Sequence, residues 1–180
     1  TAEIRERIQR DLKRPINELF ATFDDEPLAS ASLGQVHSAT LFDGQRVAVK
    51  VQHADIDEIV KLDLVTIKRI MWLVSYFVPA KNLDVYYRQI KAMIEEELDF
   101  EREAANIERI SFNFREDSTV LFPKPFKELS TRTVMTTSFV HGFRVGDTKR
   151  LDDEGIDRKA LAQKIVEAFC QMVFVDGVYH

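Results

Sequence analysis

Residues 27–52 read PLASASLGQVHSATLFDGQRVAVKVQ, and this stretch decides the fold. Asp43-Gly44 predicts a two-residue hairpin turn, because such a turn needs a positive φ angle and glycine adopts one without steric cost. The turn separates two predicted strands, Gln35 to Leu41 and Arg46 to Gln52. In the second strand three valines alternate with other residues, so the valines can face a core while Lys50 points to the opposite face.

A loop of small residues precedes this hairpin. Its residues are Ala29, Ser30, Ala31, Ser32, Leu33 and Gly34. A small-residue loop followed by a strand lysine is the layout of a kinase nucleotide site, where the loop covers the phosphates and the lysine holds them. This loop has one glycine, at its end, where an ordinary kinase loop has three. Each added Cβ pushes the backbone away from a phosphate and restricts φ. The alternative interpretation of Lys50 is a surface lysine on a half-buried strand.

Two long helices are predicted after the lysine strand. From Asp55 to Phe77 apolar residues recur at helical spacing, and Pro79 prevents continuation. We expect the apolar stripe of this helix, Trp72 included, to pack in the core. A second helix is predicted to begin at a cap near Asn82-Leu83-Asp84 and to run to about Phe114.

The second helix carries a dense run of carboxylates between Glu95 and Glu103. Such density normally indicates a solvated face, but a lysine at a strand centre favours one carboxylate turning inward to pair with it. At about 100° per residue, Glu97 and Glu103 lie roughly 240° apart and cannot both meet one lysine, whereas Asp99 and Glu103 share a face. Helix geometry therefore leaves the partner of Lys50 open.

The alanine-rich loop, its continuation Gly34-Gln35-Val36-His37 and the VAVKVQ strand resemble the UbiB family, also called the ABC1 or ADCK atypical kinases. Residues 97–106, ELDFEREAAN, match that family's ExD motif, Glu97 and Asp99, followed by a separate glutamate, Glu103. The resemblance implies an α+β, protein-kinase-like N-lobe with inserted long helices. It suggests Glu103 as the partner of Lys50, and Glu97 with Asp99 as cleft carboxylates able to reach a nucleotide-bound metal.

A strand rich in threonine and valine is predicted from Thr131 to Val140. In a kinase-like fold this strand leads into the hinge, whose backbone binds the adenine ring. By position the hinge is Ser138 to Gly142, with Met135 at the inner end of the strand and Phe139 beside the nucleotide. The chain has Thr137-Ser138-Phe139 where the family usually has an acidic hinge residue, which is a departure from the family pattern.

The predicted organisation has three parts. Residues 1–26 form a helical lead-in, residues 27–140 the kinase-like N-lobe with inserted helices, and residues 141–180 the hinge and the first helix of the C-lobe, Asp157 to Val175. His180 matches the first residue of the family's HADPHPGN loop. The resemblance therefore implies that the metal-binding residues lie beyond residue 180, and we expect this fragment alone to be inactive.

The composition restricts the partners. With 25 basic and 30 acidic residues and no long basic tract, the chain is not expected to bind nucleic acid. The single cysteine excludes an intramolecular disulfide framework and a cysteine-rich zinc site. The most apolar run, Ile70 to Ala80, is shorter than the about 20 residues needed to span a bilayer. No secretory signal or transit peptide is visible.

The leading interpretation is the nucleotide-binding part of an atypical kinase or ATPase that uses ATP or ADP with Mg²⁺. The resemblance implies a role in ubiquinone or other prenyl-lipid metabolism, with isoprenoid lipids or lipid-synthesis proteins as partners and a peripheral membrane contact. It also implies a location in mitochondria, in plastids or at the bacterial inner membrane. The alternatives are an ordinary Ser/Thr protein kinase, disfavoured by the alanines and the inserted helix, and a pseudokinase module that binds a partner or a lipid.

Overall fold

The alternating valines of the VAVKVQ run lie in the interior of a four-stranded antiparallel sheet. The computed structural model describes residues 2–30, 33–77 and 83–178. The sheet order is β1-β2-β3-β4, and the strands span Thr22–Ser30, Gly34–Thr40, Arg46–Gln52 and Val134–Ser138. The predicted lysine strand and the α+β fold class are therefore confirmed. The predicted positions Ala31, Ser32, Pro79, Ala80, Asn82 and His180 lie outside the described residues.

The connection between β2 and β3 is longer than predicted. The Leu41 N–H donates to the Gln45 carbonyl at 2.9 Å, so Phe42, Asp43 and Gly44 form a three-residue loop. The Gly44 N–H donates to the Leu41 carbonyl at 3.0 Å, and Gly44 has a φ of 86°. Such loops close with a turn followed by a residue at positive φ. The glycine is needed as expected, but the predicted two-residue turn is wrong.

Strand β1 begins inside the predicted lead-in. It includes the acidic run Asp24 to Glu26, so the predicted boundary at residue 26 falls within the strand. Its end takes up part of the alanine-rich loop, since Ala29 pairs with Val36 and Ser30 with Gln35. The register shifts on both sides of Pro27, which has no N–H to donate. The loop is therefore shorter than its sequence suggests.

Seven α-helices accompany the sheet in the part of the chain that the structure describes. They span Ala2–Leu12 (α1), Ile16–Leu19 (α2), Ile56–Phe77 (α3), Leu83–Glu97 (α4), Phe100–Asn113 (α5), Thr148–Asp153 (α6) and Arg158–Cys170 (α7). A 3₁₀ turn covers Lys127–Leu129, and a π-helical turn, Gln171–Asp176, continues α7. The predicted helix to Phe114 is thus two helices, α4 and α5, separated at Leu98-Asp99.

The two faces of the sheet are covered by different helices. On one face the valines of β3 join the side chains of α1 and α2 in one core cluster, consisting of Ile4, Ile8, Leu19, Phe20, Ala39, Val47, Val49, Val51 and Val134. On the other face α5 places Phe100, Ala104 and Ile107 against Met135 of β4. Because neighbouring residues of a strand point to opposite faces, Lys50 lies on the α5 face.

Helix α3 does not pack as predicted. Its first half buries Ile56 and Leu64, but Trp72 is 75% exposed and Leu62 is 69% exposed. The second half contacts α4, a helix without buried residues, because α1 and α5 already occupy the faces of the sheet. The expectation that the stripe with Trp72 packs in the core is therefore wrong. Within the described ranges no helix combines the length and apolarity that a bilayer crossing requires.

The last part of the chain contains the predicted helix and a short helix, α6, that the sequence analysis did not predict. After β4, the structure has α6 and then α7, whose N-cap is Asp157. The predicted helix to Val175 continues as the π-helical turn and ends at Gly177, which has a φ of 63°. Glycine takes this left-handed conformation without a Cβ penalty, so it ends the helix.

Candidate functional site

An ion pair joins β3 to α5. Lys50 Nζ donates to both carboxylate oxygens of Glu103, at 2.8 Å to Oε1 and 2.6 Å to Oε2. The side chains are 25% and 18% exposed, so the pair is partly buried and still reached by solvent. Charge-assisted hydrogen bonds of this length are among the stronger polar contacts in proteins. The pair therefore holds a cation at a defined place on the α5 face of the sheet.

An aromatic ring supports the same lysine. Lys50 Nζ lies 4.4 Å from the centroid of the Phe100 ring, and Phe100 is fully buried. An ammonium group over an aromatic face is attracted by the ring quadrupole. The sequence interpretation missed Phe100, although residues three apart share a helix face and Phe100 stands three before Glu103. The lysine is thus held by one helix through two kinds of contact.

The carboxylates of the ExD motif lie elsewhere. Asp99 is the N-cap of α5, and its Oδ1 accepts hydrogen bonds from the N–H groups of Glu101 and Arg102 at 3.1 and 3.3 Å. Glu97 is the exposed last residue of α4. Capping by aspartate satisfies N–H groups that a helix start leaves open, so Asp99 has a structural role that the sequence interpretation did not include. A cleft role for Glu97 and Asp99 stays a prediction.

Met135 lies beside the lysine on the next strand. In the β3–β4 register Met135 is the direct partner of Lys50. Its side chain is 6% exposed and packs against Phe100, Ala104 and Ile107 of α5. Met135 therefore forms an inner wall next to the ion pair, and direct contact with a nucleotide stays a prediction.

Phe139 follows β4 and is bound to the start of β3. Its N–H donates to the Arg46 carbonyl at 3.1 Å, and the Arg46 guanidinium lies 4.0 Å from the centroid of its ring. The His141 ring stands 4.8 Å away on the same segment. The second residue of the predicted hinge is thus fixed to the sheet, and the role of Phe139 in adenine binding stays a prediction.

The alanine-rich loop ends against β3, next to the ion pair. A Cβ added to Gly34 would lie 2.2 Å from the Val51 carbonyl oxygen, so no other residue fits there without a shift of backbone. The Leu33 carbonyl accepts the His53 N–H at 3.1 Å, which joins the loop to the residue after β3. The packing of β2 against β3 therefore requires Gly34, independently of any role of the loop in binding phosphate.

A buried histidine connects the strand that follows the loop to β1. His37 is fully buried on β2, and its ring nitrogens lie 2.9 Å from the Asp24 carbonyl and 2.9 Å from Gln35 Oε1. Its ring also stacks on Phe23, with 5.1 Å between the centroids. These contacts connect His37 to β1 and to Gln35. Residues 34–37 therefore hold the end of the loop against the sheet.

The described residues offer no metal site of their own. Within residues 2–30, 33–77 and 83–178, no three His, Cys, Asp or Glu side chains are placed to hold an ion together. The acidic groups near Lys50 have protein partners, Glu103 with the lysine and Asp99 with the start of α5.

Three curated proteins that are similar to this chain are all named as protein kinases. Similar proteins are the probable serine/threonine-protein kinase abkD of Dictyostelium discoideum, 31% identical over 99% of this chain, and AarF domain-containing protein kinase 1 of Gallus gallus, 33% identical over 99%. The probable protein kinase UbiB of Marinobacter nauticus is 34% identical over 96%. The chain spans 26%, 34% and 32% of the length of these three relatives.

A solved structure and a family model agree with these relatives. The structure of Rv3197 from Mycobacterium tuberculosis, determined as a complex with erythromycin, matches with a TM-score of 0.73 and 28% identity. The match covers 83% of this chain and 38% of that one. The family model described as the ABC1 atypical kinase-like domain matches residues 1–180. The chain therefore belongs to the ABC1 atypical kinase-like family, whose members named above include UbiB and the AarF domain-containing kinases.

Proposed function

We propose that this chain is the nucleotide-binding part of a UbiB-type atypical kinase or ATPase. The observation that carries the proposal is the Lys50–Glu103 ion pair, formed between β3 and α5 beside the end of a small-residue loop. In protein kinases a strand lysine paired with a helix glutamate is one of the parts that must be in place for phosphoryl transfer.

The contacts of Lys50 suit phosphate binding. Glu103 and Phe100 hold its ammonium group at the surface of the sheet, and the side chain keeps 25% exposure. A phosphate oxygen that reaches the ammonium then gains a charge-assisted hydrogen bond without the cost of ordering a mobile lysine. Leu33 and Gly34, which end the loop, are bound to the end of the same strand, so the loop can cover that phosphate.

The backbone of the loop is more restricted than that of the triple-glycine loop of an ordinary protein kinase. The residues Ala29 and Ser30 continue β1 and carry Cβ atoms, so the backbone there has less freedom than a triple-glycine loop. We infer a restricted nucleotide site with its own preference between ATP and ADP. The similarity to a protein named UbiB supports a role in ubiquinone or prenyl-lipid metabolism, at a membrane surface of bacteria, mitochondria or plastids.

Magnesium is expected to arrive with the nucleotide, since the described residues form no metal site. A metal ion bound together with the nucleotide would supply positive charge that stabilises the phosphates. In this proposal Lys50 binds phosphate, and Glu103 and Phe100 orient Lys50.

Nucleotide affinity in the intact protein tests this proposal. Lys50→Ala is expected to weaken binding of Mg-ATP or Mg-ADP about tenfold or more, because a hydrogen bond to a charged group contributes about 1.5–3 kcal/mol. The control is Lys149→Ala, which removes an exposed lysine of α6. Calorimetry or a fluorescent nucleotide provides the affinity. Unchanged affinity of the Lys50→Ala protein, with wild-type melting behaviour, would contradict the assignment of the phosphate site.

A protein kinase acting on serine or threonine is the second candidate. The name of the Dictyostelium discoideum relative, a probable serine/threonine-protein kinase, favours it. Incubation of the intact protein with labelled ATP and a peptide library separates the two functions. Release of phosphate without peptide labelling supports the ATPase or small-molecule kinase, and labelling of peptides that is lost in Lys50→Ala supports the protein kinase.

A further inference from the structure

A buried amide lies between the lysine strand and the start of α5. Gln52 ends β3 two residues after Lys50, and it is 1% exposed. Its Nε2 donates to the Leu98 carbonyl at 2.5 Å and faces the Arg132 carbonyl at 3.5 Å. Leu98 is the residue between α4 and the Asp99 cap of α5. The amide therefore binds the chain at Leu98, between the two helices and next to the helix that carries Glu103.

A buried arginine of α1 faces the other side of this amide. Arg7 is 4% exposed, and its Nη1 donates to the His53 and Ala54 carbonyls at 2.8 and 3.0 Å. Its Nη2 lies 3.5 Å from Gln52 Oε1. Guanidinium groups only donate and carbonyl groups only accept, so the oxygen of Gln52 must face Arg7 while the nitrogen faces Leu98. Arg7 thereby sets the orientation of the amide.

The start of α5 is held at a second point. The Phe100 N–H donates to the Arg132 carbonyl at 3.0 Å, the same carbonyl that Gln52 faces. Glu103 lies in the first turn of α5, so the position of this turn determines where its carboxylate meets Lys50. Movement of the corresponding helix in kinases separates the lysine from the glutamate.

We propose that Gln52 is a positioning residue that holds the first turn of α5 against β3 and so keeps Glu103 bound to Lys50. Arg7 supports this role by orienting the Gln52 amide. The consequence for nucleotide binding rests on the proposed function of Lys50, whereas the effect on the ion pair does not. A buried amide would otherwise be costly, because its polar atoms lose water and need partners.

The experiment measures the ion pair directly, in the intact protein and without nucleotide. An amine-specific reagent is applied, and peptide mass spectrometry follows the modification of Lys50 relative to the exposed Lys149. Glu103→Gln removes the charged partner of Lys50, so it should give the largest increase in the modification rate of Lys50. We expect Gln52→Leu to raise the relative rate at Lys50 by about fivefold, the change in equilibrium typical of one lost hydrogen bond.

A matched control separates positioning from general stability. Thr136 is fully buried on β4, and its hydroxyl donates to the Leu129 carbonyl at 2.7 Å, on the side of β4 away from β3. Thr136→Val therefore removes one buried hydrogen bond of the same sheet. We expect it to lower the melting temperature as Gln52→Leu does and to leave Lys50 modification unchanged. Equal rates at Lys50 in the two variants would overturn the proposal.

Two further variants keep the test decisive if Gln52→Leu does not fold. Gln52→Glu keeps the size and can pair with Arg7, but it cannot donate to Leu98, and it should also expose Lys50 to the reagent. Arg7→Lys keeps the charge, loses the planar fork and should have a smaller effect in the same direction. Wild-type rates at Lys50 in both folded variants would equally overturn the proposal.

The outcomes also distinguish this inference from the proposed function. If Gln52→Leu and Glu103→Gln both expose Lys50 while Lys50→Ala binds nucleotide normally, the positioning role stands and the nucleotide site is wrong. If Lys50→Ala loses nucleotide affinity while Gln52→Leu behaves as Thr136→Val, the nucleotide site stands and the positioning role is wrong.

Discussion

Lys164 Nζ lies 2.6 Å from Asp117 Oδ2 and joins α7 to the turn that follows α5. The same end of α5 packs Ile110 and Phe114 against Met172 of the π-helical turn. The other end of α5 packs on the sheet and carries Glu103. Helix α5 is therefore the element through which the sheet and the last helix of the chain are connected.

The Lys164–Asp117 contact predicts a pH dependence of stability. Hydrogen bonds from Lys164 and from the Thr119 hydroxyl and N–H lower the pKa of Asp117 from 3.8 to about 2. A carboxyl group whose pKa is lower in the folded state stabilises the fold above its unfolded pKa and loses that contribution as the pH falls through the folded value. We expect Asp117 to contribute at neutral pH and to lose this contribution between about pH 4 and pH 2.

Denaturant unfolding of the wild type and of Asp117→Asn over this pH range measures the effect. The difference in unfolding free energy between the wild type and Asp117→Asn should be largest above pH 4 and should vanish towards pH 2. The control is Asp153→Asn, which changes an exposed aspartate of α6 and should follow the wild type. A difference that is independent of pH would show that the pKa of Asp117 is not lowered in the folded protein.

Glu103→Gln tests the ion pair from its acidic side. The amide retains the size of the carboxylate and loses its charge, so Lys50 keeps a polar neighbour but a weaker one. We expect weaker Mg-nucleotide binding, with a loss smaller than that of Lys50→Ala because the ammonium itself remains. Glu101→Gln is the matched control, since Glu101 is exposed in the same helical turn. Equal affinities of the two glutamine variants would contradict a role for Glu103 in orienting the lysine.

Gly34→Ala tests the close approach of β2 and β3. The added Cβ would meet the Val51 carbonyl at 2.2 Å, and backbone atoms cannot turn aside as a flexible side chain can. Overpacking of this kind costs about 1–3 kcal/mol of unfolding free energy. Gly142→Ala is the control because nothing lies within 4 Å of its added Cβ. Equilibrium unfolding in denaturant gives both values, and a wild-type stability of Gly34→Ala would show that the strands do not approach this closely.

Two substitutions at Asp99 separate its capping role from a role as a cleft carboxylate. Asp99→Ala removes the cap of α5 and should cost about 0.5–2 kcal/mol of unfolding free energy. Asp99→Asn keeps an oxygen that can accept from Glu101 and Arg102, so it should retain most of the stability. Nucleotide affinity is measured on the same proteins. Loss of affinity in Asp99→Asn at unchanged stability would indicate that the charge acts in the cleft as well.

Local patterns were sufficient for several elements. The alternation around Lys50 predicted β3 with its correct ends, and the helical spacing after Asp55 predicted α3 to within one residue. Both patterns repeat within one element, so they depend on the geometry of a strand or a helix and not on distant contacts. The loop after β2 was less well predicted, because Asp43-Gly44 is compatible with more than one turn length.

The exposure of α3 could not be read from its own residues. An apolar stripe shows that a helix can be buried, but burial also requires a free surface to cover. Helices α1 and α5 occupy the faces of the sheet, and Trp72 is left 75% exposed. The break between α4 and α5 has a similar cause, since Leu98 and Phe100 bind Gln52 and Arg132, which are distant in sequence.

By itself, the sequence determined that a lysine stands on a rigid strand beside a loop of small residues and a helix rich in carboxylates. Helix geometry left both Asp99 and Glu103 able to meet that lysine. The family resemblance suggested Glu103, and the tertiary structure shows the contact itself: Asp99 is bound to the first N–H groups of α5, and Glu103, one turn later, reaches Lys50. The physical reason is that the helix starts where Gln52 and Arg132 hold the chain, and this start assigns each carboxylate its partner.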